Sequence, residues 1–446
     1  MLELCLCKER EYPNWESYRI LIFIYMTYRD ATITQFFSFI HSPVSKPSRI
    51  GASIITMSAN TFPATHAAVV TPAKRAPLAI LNVPTKPPAA GEVVVRVQWA
   101  GCTPLDLHQA DGALLVQHPQ VLSDSFSGVI VAVGAADKEE QELRVGDTVA
   151  GFAFQQPSHK AWQEYVTVPA NLVGRVPSNV SAQAAAAVPS SLVTAVHTIT
   201  ADLGLELPWP IPANWQPPNV DAPILLWGAS GTVGVYSLQV LRHWGYKRLL
   251  AVASAKNHAH LRDMGASLCF DYSDPHITEQ ILKAEPEVPY IIDCIGSLEN
   301  TLRPLSKIAQ SGSKVAVMLP VIVRDATADE EPLYEMDVQQ CLQGGWKDGV
   351  ELRGVRTHFY QDVSALHIAQ HSNNDTNCTL MTQNAFLSEH LQPRVIPELL
   401  ASGAIQPIRQ RVVGGATILE RAQNALDLLR LRSPSGEKLV WKVSDE

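Results

Sequence analysis

The stretch Ile224-Leu-Leu-Trp227-Gly228-Ala-Ser-Gly231-Thr-Val-Gly234 decides the fold of this chain. It starts as an apolar run, passes through a glycine-rich turn and continues with the apolar spacing of a helix, before a second apolar run at residues 249–252. Glycines at such a turn let backbone N–H groups and the helix N-terminus approach a pyrophosphate closely. In this context we predict a nucleotide-binding βαβ unit rather than an ordinary glycine-rich turn.

The residues after the second run indicate which dinucleotide binds. In NAD-binding units an Asp or Glu about 20 residues beyond the glycines accepts hydrogen bonds from the ribose 2′-OH. Here Ser254, Lys256 and Asn257 occupy that region, and no Asp or Glu does. The ammonium of Lys256 would attract a 2′-phosphate, whereas a carboxylate would repel it. We therefore predict NADPH as the cofactor. The missing acid carries most of this prediction, because Lys256 alone is better interpreted as a solvated lysine.

Composition excludes several classes of partner. The 446 residues are 46% hydrophobic, which suffices for a large core and for about two or three domains. The net charge of −8 predicts that the protein binds neither nucleic acid nor a membrane. The 7 cysteines are odd in number and lack the spacing of a metal knuckle or a redox pair. We therefore expect reduced thiols and a cytoplasmic protein.

Residues 1–57 differ in character from the rest of the chain, with an aromatic composition interrupted by charges. Their one sustained apolar run, residues 20–26, is too short to span a bilayer. We expect this extension to lie outside the fold, with Met57 as the natural start.

The rest of the chain has two kinds of pattern. From His66 short apolar runs broken by Pro and Gly predict a β-rich domain, and from Ile224 to about Tyr360 strands alternate with helices. The predicted fold class is α/β, with the second part forming a doubly wound parallel sheet. Its predicted strands cover residues 224–227, 249–252, 268–270, 290–294, 314–318 and 352–355.

Further segments carry a resemblance to a known family. They are Glu92-Val-Val-Val-Arg-Val97, Ser127-Gly-Val-Ile-Val-Ala-Val-Gly134, Val145-Gly-Asp-Thr-Val149 and Ser435-Gly-Glu-Lys-Leu-Val440. From about His66 to Val443 the chain resembles the medium-chain dehydrogenase/reductase superfamily, in its quinone oxidoreductase-like branch. Leu203-Gly-Leu-Glu-Leu-Pro208 and Val355-Arg-Thr-His-Phe359 are similar to fungal zinc-independent enoyl reductases, including those that act in trans with polyketide synthases.

The resemblance implies a domain organisation and an activity. A GroES-like catalytic domain would comprise residues 58–199 with 366–446, and a Rossmann NADPH-binding domain residues 200–365. The activity would be hydride transfer from NADPH to an enoyl thioester, an enone or a quinone, on a small or carrier-bound substrate, with a polyketide synthase as candidate partner. A non-catalytic NADPH-binding sensor or partner protein and a zinc-type alcohol dehydrogenase relative are the alternatives. Loops such as residues 321–334 would shape the pocket.

Zinc enzymes of the superfamily place a Cys before a short Asp-containing turn, and a His-Glu pair before the glycine of the next strand. Thr103 and Asp124-Ser125 stand in those places here, and Thr is a poor zinc ligand. No Cys lies between Cys102 and Cys269, so the structural zinc lobe is missing from the sequence too. We predict no metal, and interpret Cys102 and His108 as a packed thiol and a cleft histidine.

The resemblance also implies the cofactor site, residue by residue. The diphosphate would be bound by Ser230, Gly231, Thr232 and Val233, and the 2′-phosphate by Ser254, Lys256 and Asn257. Tyr272 would lie near the adenosine phosphate, and Met318 and Leu319 beside the nicotinamide ribose. Ser435 and Gly436 would close the site from the tail, and Leu105, Asp106, Leu107 and His108 would form the turn beside the nicotinamide. Tyr272 is equally well interpreted as a strand-end aromatic.

His108 is the candidate catalytic residue, at a position where related reductases often have Lys. An unperturbed imidazole has a pKa near neutrality, which suits a general acid that protonates the enolate left by hydride transfer. A purely positional role for His108, with water as the acid, is the competing interpretation.

Overall fold

The computed structural model describes residues 62–135, 142–327, 329–361 and 384–444, so the predicted extension lies outside the described residues. The strands of the first part are β1 (Thr65–Thr71), β2 (Ala79–Pro84), β3 (Glu92–Gly101), β4 (Gln120–Val121), β5 (Ser125–Val133), β6 (Thr148–Phe152), β7 (Tyr165–Pro169) and β8 (Val173–Arg175). Strands β2, β1 and β4 form a small antiparallel sheet, and the others belong to a larger one.

The second part is built on a parallel sheet. Its six strands are β9 (Ile224–Trp227), β10 (Leu249–Val252), β11 (Leu268–Phe270), β12 (Tyr290–Asp293), β13 (Lys314–Met318) and, after the hairpin of β14 (Val321–Arg324) and β15 (Leu333–Glu335), β16 (Glu351–Val355). The spatial order is β11-β10-β9-β12-β13-β16, which reverses between β9 and β12. Strands β9 and β10 are buried along their whole length, which explains their continuous apolar runs. The predicted α/β class with a doubly wound sheet is confirmed.

The helices cover both parts of the described chain. They are α1 (Pro104–Gly112), α2 (Ala182–Ala185), α3 (Pro189–His197), α4 (Thr232–His243), α5 (His258–Met264), α6 (Ile277–Ala284), α7 (Arg303–Ile308), α8 (Ile396–Ala401) and α9 (Ile418–Arg430). Within the described residues, the run Ala182–Asp202 is long and apolar enough to cross a membrane, but 78% of its apolar window is buried inside the protein. Because α3 packs on α4 there, this run serves as a core helix.

The end of the chain returns to the first sheet. Strand β18 (Lys438–Lys442) pairs antiparallel with β3, with Val440 opposite Gly101, and β17 (Gln410–Val412) lies parallel to β18. The larger sheet therefore has the order β17-β18-β3-β5-β6-β8, with β7 also pairing with β3. The domain limits at residues 199 and 366 stay predictions.

Two local expectations are corrected. Leu105 to His108 lie in helix α1 rather than in a turn, because Thr103 caps the helix, Pro104 suits its first position and Asp106 completes a capping box. The expected loop at residues 321–334 contains the β14–β15 hairpin instead.

Candidate active site

The glycine turn lies at the carboxyl end of β9, beside the reversal in strand order where doubly wound sheets bind ligands. Gly228 has a φ of +76°, and a Cβ there would lie 2.5 Å from Ile295. Gly231 is the N-cap of α4 and provides no capping side chain, so the first N–H groups of the helix are left to a ligand. Ser230 and Val233 are half-buried. This geometry fits a diphosphate.

The ends of β12 and β13 lie against each other at the same edge. Asp293 accepts hydrogen bonds from the N–H groups of Ile295 and Gly296, at 3.0 and 3.1 Å, which shapes the loop after β12. Gly296 has a φ of +68°, and a Cβ there would lie 2.1 Å from the carbonyl oxygen of Met318. The structure therefore brings Met318 and Leu319 to the edge that holds the glycine turn.

The predicted 2′-phosphate turn is a short 3₁₀ helix, Ala255–Asn257, in which Lys256 is exposed and Asn257 donates a hydrogen bond to the Ser254 hydroxyl, at 3.2 Å. The tail reaches this turn, since a Cβ on Gly436 would lie 3.1 Å from Asn257 Oδ1 and 3.9 Å from Arg409 Nη2. Arg409, whose Nη2 also donates to the Ser435 carbonyl at 3.2 Å, is a second cation that sequence reasoning missed.

A carboxylate also lies beside this turn. Asp271 Oδ2 accepts a hydrogen bond from the Ala255 N–H, at 3.2 Å, and hydrogen bonds from Ser273 hold the pKa of Asp271 below its usual value. No Asp or Glu follows β10 at the place where NAD-binding units have one, but Asp271, which follows β11, lies beside the same turn. Tyr272, which follows it, is 56% exposed.

Helix α1 gives its four predicted residues different environments. Asp106 is buried, and its two carboxylate oxygens accept hydrogen bonds from the N–H groups of Thr103 and Ser123, at 2.7 and 2.8 Å. Burial raises the pKa of Asp106 to about 7. Its contacts organise the start of the helix. Leu105 and Leu107 are half-buried.

His108 contacts the hairpin instead of standing free in a cleft. Its Nδ1 lies 2.8 Å from the Tyr334 hydroxyl, and the two rings meet edge to face at 4.9 Å. Burial lowers the pKa of His108 to about 4. The neutral-range acid expected from the sequence is therefore corrected, because this imidazole is uncharged at neutral pH.

A buried ionic cluster surrounds Asp124, the residue that the family resemblance places at a zinc-ligand position. Asp124 Oδ1 accepts a hydrogen bond from Lys160 Nζ at 2.5 Å, and both side chains are only 7% exposed. Asp124 Oδ2 lies 2.8 Å from Nε2 of His358, which follows β16 at the carboxyl edge of the parallel sheet. Burial alone would raise the pKa of Asp124, but Lys160 and His358 hold it well below its usual value. The cluster therefore contains a permanent carboxylate.

No group of three His, Cys, Asp or Glu side chains in the described ranges is arranged to hold a metal ion. The fit to zinc is poor at Asp124 in particular, because the ammonium of Lys160 occupies one carboxylate oxygen and cannot itself be a ligand. Cys102 is a buried free thiol whose pKa burial raises.

A buried lysine links the tail to the glycine turn. Lys438 is 2% exposed, and its Nζ donates to the hydroxyls of Ser190 and Ser191, at 3.0 and 3.1 Å. The Ser191 hydroxyl donates in turn to Thr232, the first residue of α4, at 3.0 Å. Burial lowers the pKa of Lys438 to about 8. The sequence indicated Lys438 only as part of a family motif. Its role was not predictable because its partners, Ser190 and Ser191, lie far away in the chain.

Known proteins share this architecture. A family model for the alcohol dehydrogenase GroES-like domain matches residues 89–178. Trans-enoyl reductase himH of Aspergillus japonicus is 26% identical over 360 residues, which cover 79% of this chain and 90% of that protein. A zinc-type alcohol dehydrogenase-like protein of Schizosaccharomyces pombe is 32% identical over 208 residues, which cover 46% of this chain and 58% of that protein.

Among solved structures, CurK enoyl reductase aligns with a TM-score of 0.61 at 16% identity, covering 84% of this chain and 99% of that one, which shows a shared fold. The resemblance predicted from the sequence is therefore confirmed by an alcohol dehydrogenase GroES-like domain at residues 89–178, by similarity to himH over 90% of that protein, and by a fold shared with CurK enoyl reductase.

Proposed function

We propose that this protein is an NADPH-dependent oxidoreductase that reduces the activated C=C bond of an enoyl thioester or an enone, or a quinone, without zinc. One observation carries the proposal: the glycine turn, the Met318 strand end and His358 lie at the carboxyl edge of one parallel sheet, where His358 contacts Asp124 of the other large sheet. The relatives named trans-enoyl reductases support an enoyl substrate.

The residues of this chain fit NADPH. When bound, NADPH supplies a hydride to an electron-poor carbon. The N-terminus of α4 would bind the diphosphate, with the Thr232 hydroxyl oriented by Ser191. Lys256 and Arg409 would bind the 2′-phosphate against the opposing charge of Asp271.

The pairing of Asp124 with Lys160 rather than with a metal ion would favour one substrate class. A carbonyl that accepts a hydride directly develops charge on its oxygen and profits from a Lewis acid. An enone or enoyl thioester spreads that charge through conjugation, so hydride addition to its β-carbon needs less electrophilic help. The Lys160–Asp124 pair therefore suits conjugated acceptors. A carrier-bound enoyl substrate and a polyketide synthase as partner are parts of this proposal that come from the family resemblance. A cytoplasmic location is a further part, which comes from the cysteine pattern.

The test is a panel of acceptors incubated with the purified full chain and NADPH: an enoyl thioester, a cyclic enone, a quinone, a saturated aldehyde, and the saturated thioester as control. We expect the unsaturated acceptors to consume NADPH and the saturated ones to be inert. Turnover of the aldehyde together with one zinc per chain would instead support the zinc-type alternative. NADPH binding without turnover of any acceptor would support the non-catalytic one.

A further inference from the structure

His358 lies at the carboxyl edge of the parallel sheet and contacts the Lys160–Asp124 pair. It belongs to the short 3₁₀ helix Thr357–Phe359, which follows β16 at the carboxyl edge of the parallel sheet. Its partner Asp124 lies just before β5 of the other large sheet, so the pair joins the two sheets. The side chain of His358 is 38% exposed, whereas Asp124 is 7% exposed. The imidazole is therefore accessible, while its carboxylate partner is not.

The ring is held in a defined orientation. Phe154 and Phe152 contact it edge to face, with ring centres 4.5 and 5.6 Å away. Its hydrogen bond to Asp124 uses Nε2, and within the described part of the chain Nδ1 has no hydrogen-bond partner. A carboxylate only accepts, so Nε2 carries a hydrogen in both charge states and Nδ1 is the atom that gains or loses the proton.

The charges around the ring suit a proton donor. Asp124 faces it as a permanent anion, and Lys160 neutralises the other oxygen of that carboxylate. Tyr360 lies behind Phe152 and accepts a hydrogen bond from Gln392, so its hydroxyl is already engaged in the core. The hydrogen bond to Asp124 occupies Nε2, so Nδ1 is the nitrogen left to face a substrate. His108, in contrast, is uncharged at neutral pH and is bonded to Tyr334.

We propose that the Nδ1–H of the His358 imidazolium, oriented by Asp124, protonates the α-carbon after hydride addition to the β-carbon, an inference that rests on the proposed function. The N–H bond breaks as the electron pair of the enolate forms the new C–H bond, and the imidazole is left neutral. NADPH supplies the two electrons as hydride, and solvent returns the proton to Nδ1. His358 is thus the proton donor, and Asp124 and Lys160 are positioning residues.

The test compares His358→Gln with wild type on an enoyl thioester that carries an α-methyl group, in D₂O. The amide side chain of that variant can still donate a hydrogen bond to Asp124 but has no acidic proton. We expect kcat to fall by about 10² or more, NADPH affinity to be unchanged and the product to become a mixture of α-epimers, because water protonates either face. The pH profile of kcat should differ from that of wild type.

His276→Asn is the matched control, because that histidine is exposed and pairs only with Glu279 among the described residues. It should behave as wild type. His358→Ala, with free imidazole added, gives a second reading, in which recovery of rate supports the proposal. A His358→Gln variant that keeps its rate, its pH profile and one α-configuration would overturn it. Wild type that turns over no unsaturated acceptor refutes the proposed function instead, so the two failures are distinct.

Discussion

Replacing Lys160 by Met tests whether its buried ion pair with Asp124 contributes to the stability of the fold. Met preserves most of the length of the apolar stem, so the main change is loss of the ammonium from Asp124 Oδ1. Breaking one side of a buried pair typically costs about 3–5 kcal/mol, because the remaining charge stays desolvated. His358 still donates to Oδ2, so we expect the lower end, about 3 kcal/mol of unfolding free energy.

Urea denaturation followed by tryptophan fluorescence measures this loss. The control is Lys74→Met, which removes an equally short pair with Glu331, of 2.6 Å, whose side chains are 38% and 56% exposed. That variant should lose no more than about 1 kcal/mol, as exposed pairs do. The double variant Asp124→Leu with Lys160→Met should recover to within about 1 kcal/mol of wild type, since no buried charge is left. Equal losses for Lys160→Met and Lys74→Met would refute the reasoning.

Three further outcomes follow from the site and the core. Lys256→Ala and Arg409→Ala should each weaken NADPH roughly tenfold and leave NADH unchanged, as titration of both nucleotides would show; equal losses would contradict 2′-phosphate recognition. Elemental analysis should find no stoichiometric zinc, and a chelator should leave activity intact, whereas zinc lost together with activity would reverse that assignment. Burial lowers the pKa of His159 to about 4. The unfolded state therefore binds more protons than the folded state between pH 6.5 and 4, and the free energy of unfolding should fall by about 3 kcal/mol as the pH drops through that window. His159→Phe should flatten this dependence, and an unchanged slope would exclude His159 as its source.

The parallel sheet was predictable because its inner strands are buried along most of their length. Four of its six strands begin and end as expected, including Ile224–Trp227 and Leu249–Val252, since continuous apolar runs have sharp ends. Helix α1 was missed because it buries polar residues such as Gln109 and Asp111 and has no apolar face. Its capping box, Thr103 to Asp106, was the signal that could have revealed it.

The site was only partly predictable, because its polar contacts join residues that are remote in sequence. The glycine turn follows one strand that the pattern reveals, and Met318 is the last residue of another. The Asp124–His358 pair joins residues 234 positions apart, and Lys438 meets Ser190 at a separation of 248. No local pattern marks a lysine as buried, so neither Lys160 nor Lys438 was singled out as a site residue. Burial also overturned the neutral-range acid expected at His108.

The most direct measurement uses NADPH carrying deuterium at the hydride position of its nicotinamide. The purified full chain is incubated with this cofactor and an enoyl thioester, and the product is examined by NMR and mass spectrometry. Reduction of an activated C=C bond predicts one deuterium per product molecule, located at the β-carbon, with the α-hydrogen coming from solvent. Unchanged thioester, or a saturated product without deuterium at the β-carbon, would contradict hydride transfer to the C=C bond.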